Sequence, residues 1–266
     1  MSFLGSYFTY GGVTSHDFDL ILVAINGNLN DIPSGSGAEI YTTATSRNPK
    51  RLFLGKKENQ ALEFQVEIVS EKAIDFPTFL RIKQWLFGTS EYQKLQIEEE
   101  WYSDFYFNCI LKPSEDIKFG GEFFGVRCTV ECDSPYAYTF PITKNYVSDN
   151  SFSQDFIFDN YSAEIYGLRP SLEFKLTDSG NSFEIKNKTT GRAFSMTNLH
   201  EGEIITVDNQ NQIITSSMDY NRFGNLSKEK NYGYLSFAHG VNQLEFIGYW
   251  EYAKLTYQVA VRLGGG

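Results

Sequence analysis

The sequence reads as a mainly β protein: an N-terminal β-sandwich with one packed α-helix, followed by a second β-sandwich. Three patterns predict this. Leu62, Phe64, Val66 and Ile68 alternate with Glu63, Gln65 and Glu67, and Val126, Cys128 and Val130 alternate with Arg127, Thr129 and Glu131, the period of strands with one face buried. One segment only, residues 75–87, carries apolar side chains at helical spacing. The second half is a series of short strand patterns separated by turn-rich pieces, the signature of antiparallel sheets packed face to face.

The expected helix begins with Asp75 as its cap and Pro77 in the first turn. It continues through Phe76, Phe79, Leu80, Lys83, Leu86 and Phe87 and ends at Gly88. Strands are expected at 102–111 and 122–131, joined through residues 112–116 and through Gly120-Gly121, where glycine permits a tight turn. Pro135 removes a ladder donor and ends the strand before it. Residues 29–57 are glycine-rich and poor in large apolar side chains, which predicts a long irregular arm able to reach a neighbouring subunit. Residues 141–159 show neither regular period and are expected to be a linker. The domains are accordingly expected at 1–140 and 160–266. The second has strand patterns at 171–176, 183–187, 192–196, 203–207, 212–216, 234–237, 243–247 and 254–263, a sandwich of galectin-like or jelly-roll kind. The final three glycines, 264–266, read as a flexible end.

Composition narrows the function. At 266 residues the chain is near the size at which one core gives way to two. Hydrophobic residues at 41% and charged residues at 21% belong to an ordered protein, and the aromatic share of 16% favours strands and interfaces. A formal charge of -10 opposes direct binding to a nucleic-acid backbone, which needs clustered Lys and Arg. The most apolar run near the start, residues 20–25, is too short to cross a bilayer, and the first residues lack the basic segment of a secretory signal. The expectation is a protein made without Sec export or membrane insertion. Cys109, Cys128 and Cys132 are an odd set. Cys128 and Cys132 on one strand lie roughly 13 Å apart, beyond disulfide reach, so all three are expected to be buried free thiols.

Sequence motifs for chemistry are few. His16, His200 and His239 are far apart and pair with no glutamate at helical spacing; there is no C-x-x-C, no G-x-S-x-G and no phosphate loop opening a helix after a strand. No catalytic, cofactor-binding or metal-binding residue is assigned, and the chain is expected not to be an enzyme. A glycosidase would need two carboxylates across a cleft, and the run Glu98-Glu99-Glu100 before Trp101 reads instead as a solvated strand edge. Tyr249, Trp250 and Tyr252 lie between two strand patterns; they either stack on sugar rings or a partner's surface, or plug one end of the sandwich. Sequons beginning at Asn160, Asn187 and Asn225 have no meaning without export.

Four features occur in a telling order: Phe8-Thr9-Tyr10-Gly11-Gly12 followed by Ser15-His16-Asp17-Phe18; a hydrophobic helix containing Trp85-Leu86; the strand ending in Ser134-Pro135-Tyr136; and a small β-sandwich after it. In this order the chain resembles the distal tail proteins (Dit family) of long-tailed, siphovirus-like bacteriophages and related tail-like particles. The resemblance implies a virion structural protein of the tail tip or baseplate, with first domains forming a hexameric ring. One ring face would meet the tail tube protein and the other the hub or tail-associated lysin, with second domains facing outward toward host attachment. The arm at 29–57 matches only in its glycine-rich character. A different reading is a carbohydrate-binding module that contacts a cell-surface glycan, because the galectin-like fold serves both as scaffold and as binder.

Overall fold

The computed structural model describes residues 5–24, 38–45, 48–58, 61–100, 102–164, 166–177, 180–218 and 221–262. Within the expected arm, residues 29–37 lie outside the described residues, as do Trp101 and the closing glycines. The chain divides into two compact units, one within residues 1–139 and 261–266 and the other Phe140–Ala260.

In the first unit the strands are β1 (Phe8–Tyr10), β2 (Val13–Thr14), β3 (Ile21–Ala24), β4 (Ala38–Thr45), β5 (Asn48–Glu58) and β6 (Glu63–Ile74), then helix α1 (Phe76–Phe87), then β7 (Gln93–Ile97), β8 (Phe105–Phe119), β9 (Glu122–Cys132) and β10 (Ala137–Thr139). The main antiparallel sheet runs β2-β1-β7-β8-β9-β6-β3, with β10 joined to β8. Alternation dictates it: Phe64, Val66 and Ile68 from β6 and Val126, Cys128 and Val130 from β9 are buried in one core. Each such side chain contributes on the order of 1.5–3 kcal/mol on leaving water. Helix α1 closes that core with Phe79, Ile82 and Leu86, while Leu80 remains exposed. The Asp75 carboxylate accepts the Thr78 N–H at 3.0 Å, satisfying an orphan donor of the first turn.

Two expectations change here. Residues 112–116 are no connection: they continue β8 through a bulge at Ser114, where the register passes from Pro113–Cys128 to Glu115–Arg127, a place where proline's missing donor is tolerated. The hairpin turns at Gly120 and Gly121, as expected, both at positive φ (61° and 88°), as a two-residue turn of the twist-compatible type requires. In the expected irregular arm, β4 and β5 form an antiparallel hairpin, with register shifts after Tyr41 and after Thr43, that pairs with no other described strand.

The second unit begins earlier in structure than the expected linker allows. Residues 141–159 supply β11 (Ile142–Val147) and β12 (Ser153–Asn160), followed by β13 (Ser171–Leu176), β14 (Phe183–Asn187), β15 (Arg192–Met196), β16 (Ile204–Asp208), β17 (Ile213–Ser216), β18 (Gly240–Gly248) and β19 (Trp250–Tyr257). Two antiparallel sheets, β11-β19-β13-β16-β17 and β12-β18-β14-β15, bury Leu172 and Phe174 from one against Phe183 and Phe246 from the other. β11 and β12 escape the pattern reading because exposed Ile142, Val147 and Ile157 sit beside buried Tyr146 and Phe158, which hides the period. Residues 234–237 form only an isolated bridge from Phe237 to Leu168, not a strand.

Candidate functional site

Two of the features that carried the family resemblance, the N-terminal segment and the helix bearing Trp85, meet in the first unit. Gly11 and Gly12, both at positive φ, turn β1 into β2. The buried Ser15 hydroxyl accepts the Phe8 N–H at 2.9 Å. Trp85 stacks on Phe8 at 5.8 Å and on Phe18 at 5.3 Å between ring centroids, and its indole N–H donates to the Tyr10 carbonyl. His16 stacks on Tyr7 and pairs with Glu98 at 2.9 Å. Glu98-Glu99-Glu100 is not a strand edge but the turn leaving β7.

The aromatic triplet separates. Trp250 is 0% exposed, packed among Phe156, Phe183 and Phe246. A bulge opposite Lys175 and Leu176 lets both Trp250 and Ala253 face inward, three residues apart, while Tyr252 turns outward and donates its hydroxyl to Glu173 at 3.1 Å. Tyr249 is exposed and packs edge-on against Phe152. Trp250 is therefore a core plug, unavailable to a sugar or partner, and the expected contact set does not exist as one surface.

A different feature of the second unit is concave. A cavity of about 610 Å³ bounded by Glu164, Tyr166, Arg192 and His239 adjoins one of about 430 Å³ bounded by Arg169, Tyr232 and Tyr234; Arg192 and Ser236 border both. No sequence motif marks it, because its walls come from four separate segments, around Glu164, Arg192, Gln212 and Tyr234. Burial raises the pKa of Glu164, opposed by Arg169.

Neither unit presents a catalytic arrangement among the described residues. No group of three His, Cys, Asp or Glu there is placed to hold a metal ion, and no helix among the described residues is long and apolar enough to cross a membrane. Glu203 is wholly buried, but Arg222 grips it through two contacts of 2.7 Å, with further bonds from the Ser216 hydroxyl at 2.5 Å and the His200 N–H at 2.8 Å. Burial alone would raise its pKa; these donors outweigh that and lower it, so Glu203 is a fixed anion and not a proton donor. The three cysteines are free and buried. Burial raises their thiol pKa values, those of Cys128 and Cys132 to about 12. The sequon asparagines hold the fold: Asn160 donates to the carbonyls of Phe237 and Ala238, and Asn187 to Asn242.

Comparison with known proteins fits this scaffold. Residues 3–134 match the family model described as "Phage tail protein N-terminal domain", and residues 136–256 that described as "Phage tail C-terminal domain". The chain belongs to this family of phage tail proteins. Among solved structures it is similar to the Dit protein of phage SPP1, described as a paradigm of the hub adsorption apparatus in phages infecting Gram-positive hosts. That likeness has a TM-score of 0.67 at 11% identity and covers 95% of this chain and 98% of the other, so the fold is Dit-like. The activated baseplate of phage p2 gives a TM-score of 0.49 at 11% identity over 96% and 98% of the two chains. No curated protein sequence matches.

Proposed function

We propose that this protein is a ring-forming adaptor of the phage tail tip, without enzymatic activity. Copies join side by side into a closed hexamer that links the tail tube on one face to the hub or tail-associated lysin on the other, within the virion tail. The observation that carries this reading is the β4–β5 hairpin. Its strands pair only with each other among the described residues, and it holds Leu52 and Leu54 51% and 65% exposed. An isolated two-stranded hairpin is at best marginally stable in water, and a second subunit is what covers it in a closed ring. Family membership and the Dit-like fold support the same assignment. Sedimentation velocity of the wild type and of a Leu52→Asp, Leu54→Asp variant tests it. The wild type is expected to sediment as a ring and the folded variant as a monomer; a variant that still assembles fully removes the hairpin from the account.

A second reading, in which the second unit touches a cell-surface glycan, is favoured by the cavity around Arg192. It is compatible with the first, since a structural ring leaves each subunit a face of its own.

A further inference from the structure

The paired cavities of the second unit invert the charge of the molecule locally. The chain carries 33 acidic and 23 basic residues, yet Arg169 and Arg192 both border one groove whose described walls hold a single carboxylate, Glu164. Neither guanidinium lies within ion-pair distance of a described carboxylate. Elsewhere in the unit Lys175 pairs with Glu251, Lys188 with Asp155, Arg222 with Glu203 and Lys254 with Glu173.

Beside the arginines stand two fixed rings. The Tyr232 hydroxyl contacts Glu184 at 3.2 Å and the Tyr234 hydroxyl donates to the Gln212 carbonyl at 2.9 Å, so both phenols are anchored by their far ends. Anchored rings offer apolar walls at little entropic cost, suited to the C–H face of a sugar ring. A guanidinium fork matches the oxygens of a phosphate or carboxylate, which it binds bidentately. Cavities of about 610 and 430 Å³ fall within the range of roughly 300–1,000 Å³ usual for small-molecule sites.

We infer that this groove binds a saccharide bearing a phosphate or carboxylate group, with Arg169 and Arg192 taking the anion and Tyr232 and Tyr234 the ring. The inference rests on the glycan-contact reading above and names the class of glycan. An acidic peptide would satisfy the arginines but leave the paired rings without a role.

Titration calorimetry of the full chain with phosphomannan, polygalacturonate and neutral dextran tests it. At least one anionic polymer is expected to bind at least tenfold more tightly than dextran, phosphomannan alone assigning phosphate and polygalacturonate alone assigning carboxylate. Arg169→Gln with Arg192→Gln is expected to weaken that binding at least tenfold with the melting temperature unchanged, and Tyr232→Ala to weaken it independently. Equal affinity for dextran overturns the anionic assignment while leaving glycan contact standing. Absence of binding to all three overturns both, and anionic binding that survives the double substitution overturns the groove.

Discussion

The indole N–H of Trp85 donates to the backbone carbonyl of Tyr10 at 2.9 Å, fastening helix α1 to the N-terminal hairpin. Two parts of the sequence 75 residues apart thus meet at one bond, with Phe8 and Phe18 stacked on the indole. Trp85→Phe keeps a ring there and loses the donor, so it should cost about 1 kcal/mol, whereas Trp85→Ala should cost about 3 kcal/mol. Urea titration checks this as a shift in midpoint at unchanged slope.

Much of this arrangement was legible in the sequence, for identifiable reasons. The helix was readable because Asp75, Pro77 and Gly88 are local signals; β6 and β9 because one face is apolar and the other charged. What escaped depends on partners distant in the chain. The inward turn of Trp250 comes from a bulge set against β13, and the groove at Arg192 from four separate segments; neither leaves a local trace. The facing of Cys109 and Cys132 across β8 and β9 is likewise a matter of register. Asp133 N–H bonds to the Asn108 carbonyl while Cys132 N–H bonds outward to Leu62, so the cysteines form a non-hydrogen-bonded pair, the closer kind.

Burial of those thiols leads to a second prediction. With their pKa values raised, the thiolate is scarce at pH 8. Folded protein should react with iodoacetamide at least a hundredfold more slowly than urea-unfolded protein, as counted by intact mass; rapid labelling of the native state would contradict the described core.

The Glu203–Arg222 pair gives a pH dependence. The folded pKa of Glu203 lies below its ordinary value, so the stability it contributes is fully present above the unfolded pKa of about 4.3 and is lost as pH falls through the lower folded value. Arg222→Met, which strands the buried anion, should cost about 3–5 kcal/mol at pH 7, and Arg222→Met with Glu203→Leu should cost less than that single change. Melting temperatures from pH 7 down to pH 2 for the three proteins check both statements.

Gly125 and Gly120 separate two uses of glycine. A Cβ on Gly125 would collide with the Ile68 carbonyl oxygen, forcing β9 off β6, whereas one on Gly120 meets nothing within 4 Å and suffers only its positive φ. Gly120→Ala should cost about 1 kcal/mol and Gly125→Ala at least about 3 kcal/mol. Thermal melts of the two variants rank them, and equal costs would contradict the β6–β9 contact.

Closure of the ring is measured most directly by native mass spectrometry of the purified chain at micromolar concentration, alone and with the cognate tail tube and hub proteins. A discrete species of six subunits is expected, retained when the partner proteins bind. A spectrum holding only the 30.4 kDa monomer under both conditions would contradict it.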